Sequence, residues 1–464
     1  MFVILLLALQ STLNPVDISE GPQDWQLFPR GDNNLGEIAV SGDWRPDASM
    51  EQLRFVVQSE VEAEWESSEK VEADFSSAAS QVRPFQLSVS APAGLVEYEA
   101  FLILRRNGID EILNSWSHLV VGDVLIVQGQ SNAVAPDYYS EHLANSTDQS
   151  PWIRSFGNSG TDSGLVGADL AWHIADGEVE GTSGFIGAWG LDLARQIVDA
   201  EGIPVAVLNG AVGGTTVAQH QRNELEPEDL NTIYGRLLYR ANQSGLADHA
   251  RAMFWYQGES DGPHANEWLS GFETMAADWK QDYAGLEHLW IVQVRRGCGS
   301  PSLQLRDFQR RVTHVDDRMH AATANGIYNH DGCHFHYSSY VSLGTQLGPQ
   351  VAHHLYGRPA LPGMEAPDIQ SASWTDASHT ALFLDFRNVS NSLQIPAGSW
   401  TTLELDDGAV ITNVIAVGNR LRLDLAASST ASTIQFSGTS GNQTPWIRNQ
   451  RGLALMSFRN VPIQ

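Results

Sequence analysis

The chain has 464 residues, 42% hydrophobic and 9% aromatic. That length suggests about three domains, and that apolar content supplies packed cores, which excludes a wholly disordered chain. The 27 Lys and Arg against 55 Asp and Glu leave a net charge of −28, which argues against a nucleic-acid backbone or an anionic membrane surface as the main partner.

Lys70 and Lys280 are the only lysines, and the remaining basic residues are arginines. Cys298 and Cys333 are too few for a disulfide framework or a cysteine-based zinc site, and one bridge remains open.

Residues 2–9 (FVILLLAL) form an apolar run far shorter than the roughly 20 residues of a membrane-spanning helix. The run gives way to polar sequence at Gln10 and resembles a short secretory signal peptide, although no Lys or Arg precedes it. Residues 1–20 are therefore set aside as a leader, and a secreted or periplasmic protein without a membrane span is expected. Residues 21–120 read as a β domain. There Phe85, Leu87 and Val89 alternate with polar neighbours, and 95–105 (LVEYEAFLILR) is a second strand candidate beyond the turn at Ala91-Pro92-Ala93-Gly94. The acidic run 60–72 reads as a solvated face or loop.

From about residue 121 to 357 strands alternate with helices. The short apolar runs 124–127 (VLIV), 204–208 (PVAVL), 252–256 (AMFWY) and 289–294 (LWIVQV) read as buried parallel strands. Leu191, Ala194 and Ile197, the stretch 303–311, and Tyr340, Leu343, Leu347, Val351 and Leu355 fall at helical spacing. The pattern predicts an α/β domain with a parallel sheet and helices on both faces. Residues 358–366 read as a linker and 367–464 as a second β domain, in which Leu382, Leu384 and Phe386 alternate, as do Leu421, Leu423 and Leu425.

Four segments of the α/β part carry chemistry. Gly129-Gln130-Ser131-Asn132 follows an apolar strand, where open parallel sheets place ligands. Gly213-Gly214 follows the next and exposes backbone N–H groups. Trp255-Tyr256-Gln257-Gly258-Glu259-Ser260-Asp261 follows another, with an amide that can donate into the same pocket. In Asp331-Gly332-Cys333-His334, acid and imidazole three residues apart can meet across one turn, leaving Nε2 free to take a proton from a serine.

Together these blocks resemble the SGNH-type esterases, and more closely the sialic-acid-specific acetylesterase (SASA) family of carbohydrate esterases. The family's GQSN block corresponds to Gly129–Asn132, its glycine block to Gly213-Gly214, its WYQGES block to Trp255–Ser260 and its closing block to Asp331–His334. Residues 26–30 (QLFPR), 295–299 (RRGCG), 332–335 (GCHF) and the tail 445–458 extend the likeness, and Ala133 stands where many relatives carry Met.

The resemblance implies an SGNH-type, flavodoxin-like parallel sheet flanked by N-terminal and C-terminal β-sandwich-like domains. It also implies a carbohydrate O-acetylesterase similar to sialate O-acetylesterases, with an acetylated carbohydrate as its partner and no cofactor. Ser131 would be nucleophile, His334 base and Asp331 its orienting acid, with Asn132 and Glu259 in support. The oxyanion hole would take the N–H of Ser131, an N–H at Gly213 or Gly214, and a side-chain donor, Gln257 in preference to Ser260. A Cys298–Cys333 bridge would pin the loop beside His334.

Arg295, Arg296 and Arg306 are candidates to receive a substrate carboxylate, and Trp152, Trp172 and Trp189 to stack on a sugar ring. No HExxH spacing occurs, and His353-His354 reads as a surface pair, so no metal is expected. The alternatives are a general short-chain esterase or lipase of the same superfamily, and a catalytically inactive glycan-binding protein.

Overall fold

The computed structural model describes residues 15–45, 51–59, 66–72 and 82–464. The apolar run 2–9 lies outside the described residues. The last part of the expected leader does not behave as one: Val16–Glu20 is strand β1, with Val16 buried and opposite Trp44 on strand β3 (Leu35–Trp44). The alternation of Val16 and Ile18 around Asp17 is a strand period that the nearby apolar run masked.

The chain forms two compact units, Met1–Gly122 and Asp123–Gln464. The first is antiparallel β. Strands β1, β3 and β6 (Arg83–Pro92) form one sheet. Strand β4 (Glu51–Ser59) pairs with β5 (Glu66–Glu72) and with β7 (Tyr98–Arg106). The residues β2 (Leu27–Pro29) pair with the long strand β8 (Ile109–Gly129) at Val120–Gly122. The expected alternation at Phe85, Leu87 and Val89 is present, with all three in the apolar core alongside Ile38, Val40, Leu102 and Trp116. Of the two readings of the acidic run, the loop does not hold for its later part, which is strand β5, held by backbone pairing to β4.

The second unit begins with the end of β8 and is built on a mostly parallel sheet. In chain order its first part contains α1 (Ser131–Val134), α2 (Ala144–Asp148), β9 (Ile153–Phe156), α3 (Ser163–Ala168), β10 (Trp172–Ile174) and α4 (Ala188–Glu201). There follow β11 (Val205–Asn209), α5 (Ile233–Gln243), β12 (Ala250–Tyr256), α6 (Ala265–Asp282), β13 (His288–Gln293), α7 (Leu303–Arg311), β14 (Met319–Thr323) and α8 (Tyr337–Tyr356). The strand order is β10-β9-β11-β8-β12-β13-β14, parallel except for the edge strand β10.

Every residue of β11 is buried, as a strand covered on both faces requires. Helix α4 packs on α8, and α6 on α7. Helix ends carry their expected signals: the Ser302 hydroxyl accepts from Leu305 N to start α7, and Gly357, at φ 64°, ends α8.

The same unit continues into two antiparallel sheets. One holds β15 (Asp368–Trp374), β16 (Ala381–Arg387), β18 (Ile411–Val417) and β19 (Arg420–Leu425); the other holds β17 (Leu403–Leu405), β20 (Thr433–Phe436) and β21 (Phe458–Pro462). They share one apolar core that includes Leu382, Leu384, Phe386, Leu421, Leu423 and Phe436. Buried polar contacts join this part to the parallel sheet. The Gln293 amide donates to Ser457 O at 2.9 Å, Asn325 to Leu455 O at 3.2 Å, and Arg310 meets Asp368 at 2.8 Å.

Candidate functional site

Strand β8 is the first of the parallel strands in sequence but lies inside the sheet. From it the chain winds to β9 and β11 on one side and then to β12, β13 and β14 on the other. Such a reversal leaves a crevice at the carboxyl ends of the central strands, where α/β sheets bind ligands. Ser131 follows β8, Gly213 follows β11 and Glu259 follows β12, so three of the four predicted segments converge on that crevice.

Local geometry fixes Ser131 there. Gly129 has φ +143°, and a Cβ on it would lie 2.1 Å from the carbonyl oxygen of Tyr256, so glycine alone lets β8 pass β12 this closely. Gln130 N then donates to Tyr256 O at 3.0 Å, and Ser131 opens the short helix α1. Gly213 sits alongside: a Cβ there would be 3.6 Å from the Ser131 Cβ. The backbone N–H groups of Ser131 and Gly213 donate no hydrogen bond among the described residues.

Asn132 ties this turn to the fourth segment. Its amide nitrogen donates to Glu259 Oε1 at 3.0 Å and to Cys333 O at 3.3 Å, and its Oδ1 accepts from the Tyr340 hydroxyl at 3.0 Å. Trp189 Nε1 donates to Asn132 O at 2.9 Å. Glu259 is 2% exposed, and its second oxygen has no hydrogen-bond partner. Burial pushes its carboxyl up to about 7, while the Asn132 hydrogen bond and the charge of Arg295 pull the other way.

Asp331 and His334 meet across their turn. Asp331 Oδ1 accepts from Cys333 N at 2.7 Å and from His334 N at 2.8 Å, while its Oδ2 is 3.7 Å from His334 Nδ1. That last separation is an ion-pair distance, longer than a hydrogen bond. Partial burial raises the Asp331 carboxyl, but those two N–H donors and the His334 imidazole outweigh it and leave it below its ordinary value. Tyr138 links this turn to Ser131: its ring stacks on His334 at 4.1 Å and its hydroxyl donates to Ser131 O at 3.0 Å. Tyr139 donates to His334 O at 3.1 Å. The segment 137–139 escaped the sequence reading because two adjacent tyrosines in a loop carry no spacing signal.

The Cys298–Cys333 disulfide is present, with 35 residues of separation. Next to it Arg295 is buried and donates to His330 Nδ1 at 2.8 Å and to Gly332 O at 2.6 Å, buttressing the turn from below. Asn442 grips the same turn, donating to His330 O at 2.9 Å and accepting from His330 N at 3.2 Å.

Several expected roles meet a different arrangement. Gln257 is fully buried, and its amide nitrogen donates to Thr215 O at 3.0 Å, to Gln130 Oε1 at 3.3 Å and to Asp261, while its oxygen accepts from Trp268 Nε1 at 2.9 Å. Its hydrogens are committed to joining loops and do not face the crevice. The backbone N–H of Ser260 donates to Gln130 Oε1 at 3.2 Å, which leaves its hydroxyl uncommitted by that bond. Arg296 donates to Ser437 and Gly438, and buried Arg306 to Ser437 O and Ser457. Trp172 and Trp189 are buried in the core. A strand-end amide or an arginine near a motif looks available in sequence, and only packing shows where its donors go. A cavity of about 430 Å³, lined by Thr216, Val217, Gln221, Ser260, Asp261 and His264, opens off the same loops.

A family model described as "Carbohydrate esterase, sialic acid-specific acetylesterase" matches residues 121–353, half of the chain. Among solved structures the fold is similar to a carbohydrate acetylesterase from Xanthomonas citri, with TM-score 0.65 and 16% identity over 96% of this chain and 99% of that one. A protein from Arabidopsis thaliana is 19% identical over 49% of this chain and 97% of its own, with TM-score 0.38. A family two carbohydrate esterase from Cellvibrio japonicus is 10% identical over 74% of this chain and 96% of its own, with TM-score 0.31. No curated protein matches the sequence. With half of its length matched by that model, the chain belongs to the carbohydrate esterase family of sialic acid-specific acetylesterases.

Proposed function

We propose that the protein is an exported carbohydrate O-acetylesterase that works through Ser131, His334 and Asp331. The observation that carries this reading is the position of Ser131, which lies at the carboxyl end of β8 beside Gly213 and joins the Asp331–His334 turn through Asn132 and Tyr138. A serine hydroxyl becomes an effective nucleophile when a neighbouring base takes its proton. His334 takes that proton and later returns it to the departing sugar oxygen, while Asp331 holds the imidazole tautomer. The backbone N–H groups of Ser131 and Gly213 are directed to the ester oxygen as it gains charge, each such donor being worth ~3–4 kcal/mol. Gln257 acts as a positioning residue that braces Gln130 and Asp261. Water then releases acetate from the acyl-serine.

The sugar is an uncharged acetylated one. Arg295 and Arg306 are buried and donate to groups inside the protein, Arg296 donates to Ser437 and Gly438, and the net charge of −28 repels an anionic ligand. The disulfide beside His334 supports export, since such bonds persist in oxidising compartments, and no helix of the described residues is long and apolar enough to cross a membrane. The test is acetate release from acetylated neutral sugars and from O-acetylated sialic acid at matched concentration. At least a tenfold preference in kcat/KM for the neutral ester is expected. Preference for the sialic acid ester contradicts the uncharged-substrate reading and leaves the esterase intact; release from neither contradicts both.

A further inference from the structure

At the opposite, amino-terminal edge of the parallel sheet three histidines gather. His288 opens β13, His320 is the second residue of β14, and His354 lies in the last turn of α8. One ring nitrogen of each lies within 4.8 Å of the others. His288 Nδ1 and His320 Nε2 are 2.9 Å apart, and the His320 and His354 rings stack at 3.8 Å. His354 Nε2 is buried without a hydrogen-bond partner, and Glu365 Oε1 stands 3.8 Å from it. The surface pair expected at His353-His354 is thus divided: His353 Nδ1 meets Arg358 O at 2.7 Å, while His354 turns inward.

We propose that His288, His320 and His354, with Glu365 as fourth ligand, bind one divalent transition-metal ion of the zinc class, in a site that clips β13, β14 and the end of α8 together. Ligand chemistry selects the ion. Imidazole nitrogens suit zinc, nickel, copper or cobalt, whereas calcium and magnesium take oxygen ligands. Geometry agrees. Four ligands about 2.0–2.1 Å from a tetrahedral ion lie roughly 3.3 Å from one another, which small ring rotations reach from the present separations. One feature marks the cluster as more than aromatic packing. Imidazole nitrogens that face each other with one proton between them satisfy only two rings, so the buried His354 nitrogen is left over. Three histidines and one carboxylate close the coordination shell, so the ion is structural and takes no part in ester hydrolysis.

The full chain, stripped with chelator and titrated with Zn²⁺ against a chromophoric competitor, tests this. Wild type should take up one equivalent, and its Co²⁺ form should show the visible absorption of tetrahedral cobalt. His354→Gln should lose the equivalent while keeping the wild-type circular dichroism spectrum, and Glu365→Gln, which leaves the histidines in place, should bind at least ~10-fold more weakly, since losing a ligand costs no less than losing a partner outside the ligand shell. His142→Gln, at the separate Asp137–His142–Glu178 group, should retain it. Zn²⁺ should raise the thermal midpoint of wild type by several degrees and leave that of His354→Gln unmoved. No stoichiometric uptake by wild type, or uptake unchanged in both His354→Gln and Glu365→Gln, overturns the proposal. Should His354→Gln fail to fold, Glu365→Gln alone decides it.

Discussion

Glu259 lies buried with one oxygen on Asn132 and the other without a hydrogen-bond partner, and its carboxyl sits near 7 where 4.5 is ordinary. An acid raised on folding stabilises fully below the lower value, and that stability is lost as pH rises through the upper one. The fold should therefore lose up to ~3 kcal/mol between about pH 4.5 and 7 from this residue. Glu259→Gln keeps an oxygen for Asn132 to donate to and should remove that part of the slope. Denaturant midpoints measured across this pH range give the answer, and equal slopes in the two proteins would contradict it. The placement of Ser131 and of the Asp331–His334 turn was legible because each sits at a strand end or in a short turn, where spacing alone brings neighbours close. Tyr138 and Asn442 were not, because they reach the turn through packing across long sequence separations.

At the scale of elements the turn carrying His334 is held by three independent devices: the Cys298–Cys333 bond, the Arg295 fork on His330 and Gly332, and the Asn442 clasp. Closing a loop with 35 residues of separation stabilises by about 4 kcal/mol in the chain-entropy model. The double variant Cys298→Ser, Cys333→Ser should lose most of that, read as a lower denaturant midpoint, and an unchanged midpoint would refute the role. The strands at 124–127, 204–208, 252–256 and 289–294 were legible because a strand buried on both faces must be an unbroken apolar run. The strand Val16–Glu20 was missed because a hydrophobic leader pattern just before it drew the boundary too far along the chain, and the acidic run hid β5 because backbone pairing needs no apolar side chain.

For the molecule as a whole, composition shifts located the change from parallel to antiparallel β near residue 360, yet residues 367–464 belong to the same compact unit as the parallel sheet. The cause is polar and invisible to hydropathy. Gln293, Arg306, Asn325 and Arg310 are buried, and each finds partners on Ser457, Ser437, Leu455 or Asp368. Buried polar groups stripped of partners cost about 1–3 kcal/mol each. A chain ending at residue 363 should therefore fail to give a cooperative thermal transition, while the full chain gives one for this unit. A truncated chain melting at the full-length temperature would show that the two parts fold independently.

In the proposed mechanism Ser131 is an activated nucleophile. Hydrolysis of p-nitrophenyl acetate by wild type and by Ser131→Ala, measured side by side, tests it most directly. Turnover by wild type and a loss of at least ~100-fold in the variant are expected, with unchanged circular dichroism. Equal hydrolysis by the two proteins would contradict the assignment of Ser131, and no hydrolysis by either would contradict the esterase reading of this site.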